Sequence, residues 1–435
     1  MEKYIPGQDI KLDTDVDEKQ FGELEFEALL MTLKEMDDPV LYGVTEGGSV
    51  SSEPVIHDGR VYFGCCDRNF YCLDAGTGRK VWEFKTGAPI ILDSVLHDGI
   101  IYFGSFDHNL YAVTLEGDLV WRFDCGDMPG NPGYHDGVVY IGSKNGNLYA
   151  VDARTGRQLW KFSTNGPIAS KPEVYKGSIY FGSWDHKFYC IDLKGKVRWK
   201  FMCGHAAGSA TIKGGIIYFS SFDCNIYAMM PDGKLKWKYT AAAPIYSTYR
   251  PAISGNTIFF CIKDNCIYAV DTKEGKLRWK FKSGNMMTNV PLIHKGIVYA
   301  GSCDGNMYAI EKDTGKELWR FSTPLALFAP PVTYKDRLYF GGGDSKFYCL
   351  TLDGKLVWTF KTSLSYPVSI DLSKQPKKRA AEIVWTLPKA KEKDRYKSDN
   401  IEIADYGTFS GAYIDVSKSG YMAQQKKGYL KQKAF

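Results

Sequence analysis

No stretch of this 435-residue chain comes near the roughly 20 consecutive apolar residues needed to cross a bilayer, so no membrane span is expected. The first twenty residues, MEKYIPGQDIKLDTDVDEKQ, hold none of the apolar core of a secretory signal. Histidine is scarce, with 7 in the whole chain, and no histidine has a sequence-local acidic partner in a triad pattern. The GxSxG, HExxH and P-loop signatures are missing, so no catalytic residue and no metal ligand is nominated. Cysteine is present, but its odd count of 11 does not suit a closed disulfide framework. Most cysteines stand at strand positions where other segments carry Ala, Ser or Thr, which suits small buried fillers in a reducing compartment. The expectation is a soluble, cytoplasmic protein.

Charge of one sign is scarce only at the ends. Residues 1–50 hold 4 Lys and Arg against 13 Asp and Glu, and residues 371–435 hold 14 against 8. The net charge of +5 is otherwise scattered, so no nucleic-acid partner is expected.

Aromatic residues and glycine are abundant: 29 Tyr, 24 Phe, 10 Trp and 44 Gly. They recur with a period. Trp82, Trp121, Trp160, Trp199, Trp237, Trp279, Trp319 and Trp358 follow one another at intervals of 38 to 42 residues. A glycine lies four residues before each, from Gly78 to Gly354, and a tyrosine ten or eleven before, from Tyr71 to Tyr348. Inside one period, SSEPVIHDG, RVYFGCCD, NFYCLD and KVWEFKTG read as four short strands divided by turns. A four-stranded sheet with two apolar faces must stack on neighbours, and radial stacking gives a β-propeller in which the Trp packs across each seam.

Strings such as YFGSFDHNLYAVTLEGDLVWRF and YIGSKNGNLYAVDARTGRQLWKF resemble the repeats of the pyrroloquinoline-quinone (PQQ)-type propeller family, with its tryptophan-docking motif. The resemblance covers about 310 residues and implies an all-β, eight-bladed β-propeller of four-stranded antiparallel blades. It implies little about function, because the family spans quinone-dependent dehydrogenases, an outer-membrane assembly lipoprotein and many proteins of unassigned role. Residues 47–370 are assigned to the propeller, 1–46 to an acidic arm with an amphipathic helix and a strand, and 371–435 to a basic linker and a divergent, repeat-like extension. A nine-unit ring closed by the two ends is the alternative architecture.

Three sets of positions bear on chemistry. Asp67, Asp107, Asn145, Asp185, Asp223, Asp264, Asp304 and Asp344 recur between the second and third strands, where a hairpin needs them, so they read as structural. His108 and His186, one residue further on, read as turn residues. The adjacent Cys65 and Cys66 match the vicinal pair that the resemblance would set against a quinone, but each also fits an ordinary slot of the repeat. No cofactor is expected, PQQ being the alternative.

The position that fails to repeat is more informative. At the start of the first strand stand Glu53, Asp93, Asn131, Lys171, Ser209, Arg250, Val290 and Pro330. In a propeller this strand begins at the central funnel, and blade packing does not require such a mixture. The slot is expected to bind a protein, a peptide or a charged small ligand. Tyr246, Tyr249 and Phe328, in the connections between blades, are expected to enlarge the same face with an apolar floor. The leading expectation is therefore a non-enzymatic binding or scaffold propeller. A quinone-dependent oxidoreductase or its accessory subunit is one alternative, and an assembly scaffold acting through its terminal extensions is the other.

Overall fold

A computed structural model of the chain describes residues 48–245, 249–287 and 289–362. The assigned acidic arm, the basic extension and Tyr246 lie outside the described residues. All secondary structure within them is β: eight separate four-stranded antiparallel sheets, each built from four consecutive strands. The blades occupy residues 55–85, 94–124, 133–163, 173–202, 207–240, 252–282, 292–322 and 332–361. In blade 1 these strands are β1 (Val55–His57), β2 (Arg60–Gly64), β3 (Asn69–Asp74) and β4 (Lys80–Lys85).

Burial follows the sequence pattern strand by strand. β2 and β3 are apolar on both faces and almost wholly buried, as the middle of a blade must be when neighbours cover both sides. β4 alternates exposed and half-buried residues, because it is the outer edge. Between β3 and β4 the pairing skips a residue: Cys72 faces Trp82 while Leu73 faces Lys80, leaving Val81 as a bulge. The same shift recurs in all eight blades just before the tryptophan.

The bulge aims each indole at the next blade. Every Trp Nε1–H donates to a backbone carbonyl there, at 2.9–3.2 Å, from Trp82 onto Leu115 round to Trp358 onto Ala75. Each ring also lies flat on a glycine of that neighbour. At Gly78 a Cβ would sit 2.5 Å from the Trp358 ring, and φ is +72°, a left-handed conformation that glycine adopts without strain. The glycine and tryptophan four residues apart in sequence therefore do not meet. Each faces a different neighbour.

The Trp358–Gly78 contact joins blade 8 directly to blade 1. The Tyr339 hydroxyl donates to the Ala75 carbonyl at 3.0 Å, and Phe63 stacks on Phe347 with centroids 4.2 Å apart. Gly48 and Thr362 exchange two hydrogen bonds at the chain's crossing of this seam. The ring closes with eight blades, which leaves no gap for a ninth.

Candidate functional site

The recurrent Asp is part of the frame. In seven blades its Oδ2 accepts the hydroxyl of the Tyr four residues later, at 2.5–2.7 Å. In most blades Oδ1 also caps an amide of the hairpin, as at Asn69, Asn109 and Asn225. Several reach back to the preceding blade as well: Gly87 N–H donates to Asp107, Gly204 N–H to Asp223 and Gly284 N–H to Asp304. In blade 3 the amide of Asn145 takes the same place, donating to Tyr149 and to the Cys125 carbonyl. Burial, together with the facing carboxylate, pushes the Tyr111 hydroxyl up to about 12, so it remains a donor throughout the ordinary pH range.

The next residue holds the left-handed conformation of the turn, with φ +73° at His108 and +66° at His186. His186 stacks on His205 with centroids 5.0 Å apart, and burial pushes the His205 imidazole down to about 3. Among the described residues, no three His, Cys, Asp or Glu side chains converge on a metal position.

The non-repeating slot is built by the connections that lead into each first strand. Its short side chains link blade to blade. Asp93 Oδ1 accepts the Glu53 amide at 3.0 Å, Asn131 Oδ1 accepts the Asp93 amide at 2.9 Å, and Ser209 Oγ accepts the Lys171 amide at 2.9 Å. Asn131 and Ser209 are buried, so their visible work is to join neighbours. Two of its longer, charged side chains meet instead across the ring. Arg250 of blade 6 donates to both carboxylate oxygens of Glu53 of blade 1, at 3.1 and 3.2 Å, although they are 197 residues apart in sequence and two whole blades, 7 and 8, separate them the short way round the ring. Their side chains retain 30 % and 23 % exposure, so the pair is reachable from solvent.

The charges are felt throughout the slot. Burial and the neighbouring Glu53 carboxylate hold Asp93 above the usual carboxylate range, while Arg250 and Lys171 pull it the other way. Glu53, with help from Asp93 and Glu173, raises Arg250 further still. Lys171 stands half-buried on the same ring.

Tyr249 adjoins this pair: its carbonyl accepts the Ser220 hydroxyl at 3.1 Å. With Arg250, Phe260, Cys261 and Asn289 it lines a cavity of about 10 Å³, room for one water. Phe328 departs from the sequence expectation. It is buried at 7 % exposure, because its connection folds inward over Gly343, and it supplies no open apolar floor.

Beside the slot lies a second ring that the sequence reading passed over. The residue before the recurrent Asp donates its amide to the preceding connection in all eight blades, from Cys66 onto Ser49 to Gly343 onto Ala326. Its side chains divide the ring. Blades 2 to 6 carry Phe106, Lys144, Trp184, Phe222 and Lys263, whereas blades 7, 8 and 1 carry Cys303, Gly343 and Cys66. Phe106, Trp184 and Phe222 pack into one cluster with Met128, Ala169 and Ala206. Aligning the position before the Asp, rather than after it, would have revealed this arc.

Cys65 and Cys66 lie just past the end of the second strand of blade 1, next to the chain's crossing of the last seam. Both side chains are buried, Cys65 donating to the Gly48 carbonyl at 3.2 Å and Cys66 accepting from the Ser49 hydroxyl at 3.3 Å.

Comparison with known proteins agrees with this architecture. The family model described as outer membrane protein assembly factor BamB matches residues 107–261, 189–291 and 263–384, which together span most of the chain. No curated protein matches. Among solved structures, the computationally designed Ika8 protein is similar at TM-score 0.64 and 13% identity, over 70% of this chain and 97% of its own. BamB from Moraxella catarrhalis is similar at TM-score 0.56 and 17% identity, over 62% and 87%. The quinohemoprotein alcohol dehydrogenase from Comamonas testosteroni is similar at TM-score 0.62 and 14% identity, over 72% and 76%. At these identities the likeness is one of fold. The family match places the chain among the BamB-like, PQQ-type repeat propellers.

Proposed function

We propose that this member of the BamB-like propeller family is a non-enzymatic binding module that takes a charged peptide segment or small ligand at its central funnel. One observation carries the reading: the Arg250–Glu53 pair spans the ring at a position that the eight-fold packing does not use. A guanidinium presenting two donors suits a carboxylate, and Glu53 is the intramolecular carboxylate that a ligand would replace. Lys171 adds a second cation, while Asp93 supplies the opposite charge for an ammonium group. The short side chains around it, Asp93, Asn131 and Ser209, are each bound to a backbone amide of a neighbouring blade, which supports such a site.

The proposal includes the absence of a resident cofactor and a reducing compartment, the latter supported by eleven cysteines that form no disulfide with one another, ten of them buried. It also includes a protein or peptide as partner. No helix among the described residues is long and apolar enough to cross a membrane.

A peptide-display library panned against the wild type and against the combined Glu53→Gln, Lys171→Met, Arg250→Met variant tests the reading. Charged sequences enriched by the wild type should lose at least tenfold in affinity for the variant. Equal binding to both proteins sinks the proposal.

A further inference from the structure

The outer rim carries a feature that neither the fold nor the funnel requires. The bulged residue before each tryptophan points outward on the edge strand. It is aliphatic in blades 1, 2, 3, 7 and 8, where Val81, Val120, Leu159, Leu318 and Val357 are exposed by 37–53 %. In blades 4, 5 and 6 it is Arg198, Lys236 and Arg278. The position after the tryptophan in those blades is also cationic: Lys200, Lys238 and Lys280.

These three edge strands, Val197–Met202, Leu235–Thr240 and Leu277–Lys282, hold seven cations, counting Lys282, and no carboxylate. Among the described residues Arg278 alone of the seven is ion-paired, to Asp271 at 2.5 Å. Aliphatic groups are interleaved with the charges: Val197, Met202, Leu235 and Leu277 are exposed by 42 %, 59 %, 44 % and 44 %. The five other edge strands together carry six cations and three acids.

We propose that the rim of blades 4 to 6 is a docking surface for an acidic amphipathic segment of a partner protein, one that alternates carboxylates with aliphatic or aromatic side chains. Charge complementarity selects the acids, and the exposed aliphatic groups between the cations select the apolar positions. An edge strand with a bulge and lysines is protected against strand addition, so recognition falls to side chains rather than to backbone pairing.

Geometry favours a peptide over other polyanions. With eight blades, successive edges face directions an eighth of a turn apart. A flat membrane would meet one edge at a time, and a stiff duplex would do the same, whereas a flexible peptide follows the curve. The outward positions of these strands also lack the aromatic side chains on which nucleic-acid bases stack, because their tryptophans and phenylalanines face inward.

Substitutions borrowed from other blades make a fold-safe test. Arg198→Val, Lys236→Val and Arg278→Leu install what blades 1 and 3 already carry, and Lys200→Thr, Lys238→Thr and Lys280→Thr copy Thr359 of blade 8. The probe is a fluorescent 20-residue peptide alternating Glu with Leu and Phe, titrated by anisotropy against the full chain. Its counterpart with Lys for Glu, a 20-base DNA in single and double strands, and phosphatidylserine vesicles form the other arms. The acidic peptide should bind the wild type best, weaken by tenfold or more in the sixfold variant, and weaken with salt. Unchanged peptide binding by a folded variant overturns the proposal, as does tighter binding of DNA or of vesicles.

Discussion

The seams and the funnel slot are built from the same repeat, yet they follow opposite rules. At every seam the same three groups recur: a tryptophan donating to the next blade, a glycine beneath its ring, and an aspartate or asparagine bound to a tyrosine. At the slot no residue type recurs, and two charged side chains bond across two intervening blades. A ring of stacked sheets needs identical seams, because one poor seam opens the circle. It needs nothing identical at its hub, where short side chains link some blades to their neighbours and longer ones bond across the ring. Variation is therefore tolerated where packing is indifferent, and function has room there.

The largest effect that tests this contrast lies at the seam. Gly78→Ala should cost roughly 2–4 kcal/mol, combining left-handed strain with a Cβ forced 2.5 Å from Trp358. Gly59→Ala has the same sign of φ but nothing within 4 Å, and should cost only about 1–2 kcal/mol in equilibrium urea unfolding. Equal losses at the two glycines would mean that indole stacking does not close the ring.

Tyr308→Phe removes the hydroxyl held by Asp304 at 2.6 Å and should cost about 1–3 kcal/mol. A loss below half of that would place the strength of the frame elsewhere.

At the slot the expected cost is smaller. Arg250→Met leaves the Glu53 carboxylate without its partner and should destabilise by about 1–2 kcal/mol, while Glu53→Gln combined with Arg250→Met should return close to wild type. A double-mutant cycle in urea measures that coupling. Additive losses would mean that the two groups do not act as a pair.

The mildest probe is pH. Asp93 has its folded-state pKa raised above 3.8, so the folded state holds its proton more tightly than the unfolded chain does. Its favourable contribution is complete below that unfolded value and is lost as pH rises through the folded one. Asp93→Asn, which copies the acceptor that Asn131 provides in the next blade, removes this dependence. The variant's denaturation midpoint should gain on the wild type as pH rises from about 4, then level off. A gap independent of pH would show that burial does not perturb Asp93.

Much of this contrast was legible in the sequence. Trp82 and its seven counterparts announced eight blades, and the disagreement among Glu53, Asp93, Lys171 and Arg250 marked the slot. Their partners were not legible. Glu53 and Arg250 lie 197 residues apart, and no local spacing links them. Phe328 reads as a surface aromatic until its connection is seen to fold inward. Asp107 and Tyr111 were each visible as repeats, but their hydrogen bond, and the reach of Asp107 back to Gly87, depend on the hairpin's geometry.

The sequence by itself determined the strands, their number and the periodic residues, because a two-residue alternation and a turn every few residues act over short range. Tertiary structure decided which groups meet. The glycine four residues before each tryptophan stacks on a different tryptophan, and the hub's opposite charges pair across the ring. The physical reason is closure: joining blade 8 to blade 1 turns a linear order into a circle, in which neighbours are set by angle rather than by position in the chain.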